Sequence, residues 1–221
     1  SNKSKKIKIG LICSYNNGTE ILKFISKQKS NITFVCSYKN NDLINANKLK
    51  DICKNNDIKF FDNIDSNSVK FKNIIIKEKP EILILGWWPQ IIKQNIINLV
   101  KNGIVNLHPS YLPYGRGKHG YVWSIIDGFK YGVTIHFIDK YIDSGKILFQ
   151  KRINVSILDT GESLYKKGCK EVLKLFKLKF HKIILSRYQP KFSKNVDNKN
   201  LKYKKDIKKI KNLNLNKKYK A

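Results

Sequence analysis

The sequence predicts an α/β protein: a twisted, mostly parallel sheet with helices on both faces and a short C-terminal appendage. Three observations predict it. Short apolar runs alternate with segments whose apolar residues recur at helical spacing. One run, Glu81-Ile82-Leu83-Ile84-Leu85-Gly86, is nearly all apolar, as a parallel strand covered on both faces must be. Finally, Asn106 and His108 lie where the run Ile104-Val105 gives way to a loop, and open α/β sheets bind ligands beyond the carboxyl ends of their strands.

The elements follow in order. Ile7 to Cys13 reads as a first strand and Ser14 to Gly18 as its turn, with a helix capped near Thr19 carrying Ile21, Leu22 and Ile25 on one face. Ile32 to Cys36 is a second strand and Leu43 to Asn55 a second helix. A short strand near Ile58–Phe60 and a helix over Ser66 to Glu78 precede the apolar strand 81–86. A helix through Ile91 to Val100 leads to the strand that ends at His108, whose backbone Pro109 biases towards extended geometry. Beyond the loop 109–119, a helix spans Gly120 to Asp127, with Val122, Trp123, Ile125 and Ile126 as its apolar residues. Strands over Tyr131–Asp139 and Lys146–Val155 flank the turn Asp143-Ser144-Gly145. Thr160 to Ser163 opens a long helix towards Arg187. After Pro190, Lys, Asn and Asp dominate, so the expected division is a catalytic domain over 1–190 and an extension over 191–221.

Composition excludes several classes. No apolar run reaches the ~18 residues of a membrane span, and no signal-peptide pattern is present. The four cysteines, Cys13, Cys36, Cys53 and Cys169, include no C-x-x-C pair and read as reduced, buried thiols of a cytoplasmic protein. No cluster suggests a metal. The net charge of +29 raises the question of nucleic acid. The charges are spread along the chain, Lys outnumbers Arg, and no RNA-binding signature with interleaved aromatics occurs, so a basic surface is the simpler reading. The absence of methionine, even at position 1, reads as a processed or appended start.

Asn106, His108 and Asp143 suit acyl transfer to an amine. An imidazole titrating near working pH accepts or relays the amine's proton. A carboxamide N–H meets the developing oxyanion, worth roughly 3 kcal/mol in other enzymes. A carboxylate orients the imidazole and favours its charged form. Each residue also has a plain structural reading: a turn-forming Asn, a hydrogen-bonded His, an Asp-Ser-Gly turn. Composition and spacing leave both readings open.

The ordered blocks Asn106-Leu-His-Pro-Ser-Tyr-Leu-Pro113, Val133-Thr-Ile-His-Phe-Ile-Asp139 and Ile142-Asp-Ser-Gly-Lys-Ile-Leu-Phe-Gln150 resemble the formyltransferases that use N10-formyltetrahydrofolate. The resemblance covers roughly residues 5–155 and implies a Rossmann-like catalytic domain that moves a formyl group to a primary amine. It implies that Asn106, His108 and Asp143 form the catalytic triad. Trp87, Trp88, Pro89, Gln90 and Ile91 match the segment that passes along the pterin ring in that family, largely through backbone contacts, and the loop 139–143, beginning at Asp139, completes the pocket.

Among acceptors, methionyl-tRNA formyltransferases carry a large C-terminal domain for which the residues after Pro190 are too few. Glycinamide ribonucleotide formyltransferases, the main alternative, have a Gly/Ser-rich first turn, where Tyr15 and Asn16 of this chain obstruct approach to a phosphate. The stretches 113–123, 159–165 and Tyr203-Lys204-Lys205-Asp206-Ile207 resemble sugar N-formyltransferases. Those enzymes formylate the 4- or 3-amino group of a nucleotide-linked amino-dideoxy sugar for surface polysaccharides such as O-antigen. The resemblance makes Tyr114, Arg116, Lys118 and His119 candidates for the acceptor, with Arg116 and Lys118 suited to a diphosphate. His136, inside a strand, reads more simply as a hydrogen-bonded core histidine. Apolar residues around 147–155 or on the last helix are candidates for a homodimer contact. A non-enzymatic basic module binding RNA remains the reading outside the enzyme class.

Overall fold

A computed structural model describes residues 6–38, 43–192 and 201–202. The chain divides into two compact units. The first runs to Asn106 and includes Ile184–Arg187; the second holds Leu107–Ile183 and the chain from Tyr188 onward.

The first unit is built of β1 (Lys8–Cys13), α1 (Tyr15–Ser26), β2 (Asn31–Tyr38), α2 (Leu43–Asn55), β3 (Phe60–Ile64), α3 (Val69–Glu78), β4 (Ile82–Gly86), α4 (Gln94–Ile97) and most of β5 (Ile104–His108). Its strands are ordered β3-β2-β1-β4-β5, every pair parallel. β4 is buried along its whole length, as its apolar run predicts. On α1, Ile21, Leu22 and Ile25 are fully buried, also as predicted. Gly18 lets that helix lie close to the sheet, because a Cβ there would come within 2.5 Å of the Gly86 carbonyl.

Boundaries differ from the sequence reading for local reasons. α1 begins at Tyr15, directly after β1, so the expected Ser14–Gly18 turn is the helix's first turn. α3 begins at Val69, because Ser68 caps it by accepting from the Phe71 amide (3.2 Å). The expected helix over 91–100 shrinks to the four residues of α4, since Asn67 binds the Ile91 carbonyl and the Lys93 amide and holds that stretch out of helix. β3 lies later than the expected 58–60.

In the second unit the strand order continues β5-β7-β8 through the last two residues of β5. β7 (Gly132–Phe137) and β8 (Ile147–Arg152) form the antiparallel pair, with Thr134 opposite Gln150. β6 (Arg116–Gly117) pairs with β9 (Leu201–Lys202). Helices α5 (Gly120–Ile126) and α6 (Gly161–Ile184) complete the elements. α6 turns Leu164, Val172, Phe176 and Phe180 inward at helical spacing. A mostly parallel sheet alternating with helices is the α/β class the sequence predicts. The segment Tyr203–Ile207 lies outside the described residues. No helix among those described is long and apolar enough to cross a membrane.

Candidate active site

Residues two apart on a strand point to the same side, so the end of β5 turns Asn106 and His108 one way and the buried Leu107 the other. The chain after His108 is pinned by a polar network. Leu112 N–H donates to Thr134 Oγ1 (3.1 Å), Thr134 Oγ1 donates to the Ser110 carbonyl (2.7 Å), and Gln150 Nε2 donates to the Leu112 carbonyl (2.8 Å). Facing polar residues inside two apolar strands were the signal for this network, and the sequence reading passed over it.

His108 is 8% exposed. Its Nε2 lies 3.2 Å from the Gly115 carbonyl, which can only accept, so in the neutral ring Nε2 carries the proton and Nδ1 is the basic nitrogen. The same Nε2 is 3.6 Å from Asp143 Oδ2. The other carboxylate oxygen, Oδ1, is 3.6 Å from Nε2 of His136. One carboxylate thus stands between two imidazoles whose rings meet edge to face at 6.0 Å.

His136 is fully buried, and its Nδ1 lies 2.7 Å from the Phe137 carbonyl. It is hydrogen-bonded, as the sequence reading has it, but it also faces Asp143, which that reading did not foresee. Burial lowers its pKa, against the pull of the Asp143 carboxylate. For Asp143, burial pushes the carboxyl up, but His108, His136, the Gly117 amide and Arg116 together hold it below the ordinary range. The site therefore holds an ionised carboxylate between two imidazoles.

The loop bearing Asp143 is tightly built. Asp143 takes the left-handed conformation (φ 47°), uncommon for a residue with a side chain. Gly117 N–H donates to its Oδ2 at 2.8 Å. Asp139 accepts from the Tyr141 amide (3.0 Å) and from the Ser144 hydroxyl, closing the turn. A Cβ on Gly145 would come within 1.9 Å of the Phe137 carbonyl, so only glycine fits there.

The residues predicted for the acceptor are differently placed. Arg116 is 1% exposed, and both Nε and Nη2 donate to the Ile142 carbonyl (2.9 and 2.6 Å). Lys118 is exposed. Tyr114 is half-buried and stacks on Phe129 (5.6 Å, 20°). His119, in the left-handed region at the start of α5, lies 2.8 Å from the Tyr121 hydroxyl.

In the first unit, the segment Trp87–Ile91 follows β4. Trp88 is buried, its Nε1 donating to Ser66 Oγ (3.0 Å) and its ring edge-on to Tyr38. Gln90 accepts from both the amide and the hydroxyl of Ser66 (2.9 and 2.7 Å) and donates to Asp65 (2.7 Å). These two side chains are engaged by the 65–67 turn, whereas Ile91 is exposed. No group of His, Cys, Asp and Glu among the described residues has a geometry that would hold a metal.

Residues 8–177 match the model of the family described as formyl transferase. A dTDP-4-amino-4,6-dideoxyglucose formyltransferase of Mycobacterium bovis is 38% identical over 112 residues, covering 51% of this chain and 47% of that protein. A methionyl-tRNA formyltransferase of Thermodesulfovibrio yellowstonii is 39% identical over 103 residues, covering 45% of this chain and 33% of that protein. This chain thus spans less than half the length of these curated relatives. Among solved structures, a sugar 3N-formyl transferase determined in the presence of dTDP and 5-N-formyl-THF superposes with a TM-score of 0.72 at 26% identity, covering 92% of this chain and 72% of that one.

Proposed function

The chain belongs to the formyl transferase family, and from that premise we propose that it is a sugar N-formyltransferase, moving the formyl group of N10-formyltetrahydrofolate to the amino group of a nucleotide-linked amino-dideoxy hexose. The observation that carries the formyl-transfer reading is the Asp143 carboxylate held between His108 and His136, with Asn106 two residues back along the strand from His108.

In this reading the amine nitrogen bonds to the formyl carbon. His108 takes the proton the amine sheds and returns it to the departing folate nitrogen as the carbon–nitrogen bond to folate breaks. Asn106 and the protonated imidazole stabilise the intervening oxyanion. Asp143 favours the imidazolium and fixes its orientation. The family resemblance gives folate contacts to Trp87–Ile91, largely through backbone groups, and separately to Asp139. Tyr114, Lys118 and His119 contribute to the acceptor site.

The sugar acceptor is supported by the resemblance of 113–123 and 159–165 to sugar-specific enzymes and by the Mycobacterium bovis relative, named for a dTDP-linked amino sugar. A transfer-RNA acceptor has the comparably identical Thermodesulfovibrio relative and the charge of +29 in its favour. A formyl-donor consumption assay decides between them, run against dTDP- and UDP-linked 3- and 4-amino-dideoxy sugars, glycinamide ribonucleotide and methionyl-tRNA. Turnover with one class of sugar is the expected result. Turnover only with the ribonucleotide or the charged tRNA would overturn the sugar assignment.

A further inference from the structure

We propose that Arg116 is a positioning residue for the reaction: its buried guanidinium grips the Ile142 carbonyl and thereby sets the Asp143 carboxylate against His108. The inference rests on the formyl-transfer reading and departs from the expectation that Arg116 holds a diphosphate.

An arginine buried to 1% exposure is expensive unless its charge and all its donors are satisfied. Here they are not. Nε and Nη2 both donate to the single Ile142 carbonyl, at 2.9 and 2.6 Å. Nη1 has no hydrogen-bond partner, and Arg116 enters no ion pair, among the described residues. An apolar side chain of similar size would fill the same space at lower cost, so packing alone does not account for a guanidinium here.

What the guanidinium does hold is the residue before Asp143. Ile142 is pulled from one side by Arg116, and Asp143 itself accepts from the Gly117 amide at 2.8 Å. Consecutive residues 116 and 117 therefore bind consecutive residues 142 and 143, a two-point clasp across 26 positions of sequence. The same dipeptide also pairs in parallel with Leu201 and Lys202 of β9. The clasp opposes the left-handed strain of Asp143, which has no glycine's freedom to adopt φ 47°. It also places a permanent positive charge near the carboxylate, the kind of neighbour that keeps Asp143 ionised. Arg116 reaches substrate through Asp143 and His108, and the fork geometry explains why arginine rather than lysine stands there.

The test compares Arg116→Met and Arg116→Lys with the wild type by hydrogen–deuterium exchange over residues 139–146, and by kinetics with the accepted sugar. The groups facing Asp143 are His108, His136, Arg116 and the Gly117 amide, and Asp139 acts on His136. Arg116→Met is expected to speed exchange in 139–146, to lower kcat by roughly 100-fold with little change in the KM for the formyl donor, and to move the acid limb of the rate profile to higher pH. Arg116→Lys keeps the charge without the two-pronged grip, so it restores the acid limb and only part of kcat. If Arg116→Met does not fold, the lysine variant alone still gives the exchange and kcat readouts. Unchanged exchange together with an unmoved acid limb would overturn the clasp, as would a loss confined to the sugar's KM, which a diphosphate contact predicts. A wild type inert on every acceptor, with the loop still loosened by the variant, would remove the formyl-transfer reading and leave the clasp standing.

Discussion

At the scale of single residues, the site couples three ionisable side chains that the sequence separates by 28 and 7 positions, and the coupling has consequences for both turnover and pH. His108→Asn and Asp143→Asn should each lower turnover by orders of magnitude with an unchanged far-ultraviolet dichroism spectrum, and near-normal rates in both would dismiss the proposed roles. His136 makes a separate prediction. Its folded pKa is lowered by burial, so the unfolded chain takes up a proton below about pH 6.5 that the folded chain does not. Folding stability should fall as pH drops from there to the lower folded value. Asp143 acts later: its carboxyl is held low in the folded chain, so its contribution is complete above the ordinary carboxylate range and drains away only at lower pH. In urea titrations, His136→Gln should flatten the first of these two slopes and leave the second.

At the scale of elements, caps and close approaches fix boundaries that apolar periodicity only approximates. Ser68 accepts from the Phe71 amide, and Ser68→Ala should cost about 1 kcal/mol, read from the shift of the urea midpoint at constant slope. Gly145 is held against the Phe137 carbonyl. Gly145→Ala must displace the Asp143 loop and should depress Tm and turnover together; a variant with normal Tm and full activity would show that the loop has room. The strands β1, β4 and β5 were legible as short apolar runs, and the helices α2 and α6 because their apolar residues recur at helical spacing. The region 91–100 was not, because what keeps it from helix is Asn67, a residue 24 positions upstream of Ile91. Periodicity reports only on a residue's own neighbours.

At the scale of the whole chain, the net charge of +29 and the choice of acceptor belong together. Charge-driven binding of RNA to a basic surface weakens steeply with salt, whereas turnover of a nucleotide sugar depends on a built site. Raising salt from 50 to 200 mM should therefore strip bound tRNA from the chain by orders of magnitude while changing the KM for the sugar only modestly; an equally steep loss in both would return the nucleic-acid reading to contention. The sequence by itself determined the α/β class, the order of its main elements and the resemblance to formyltransferases, because the apolar runs and the blocks around residues 106, 133 and 142 are local. Only the tertiary structure decided that His136 shares the Asp143 carboxylate and that Arg116 lies buried on the Ile142 carbonyl instead of open to a ligand. Both facts depend on which side chains a fold brings within a few ångströms, and no spacing along the chain records that distance.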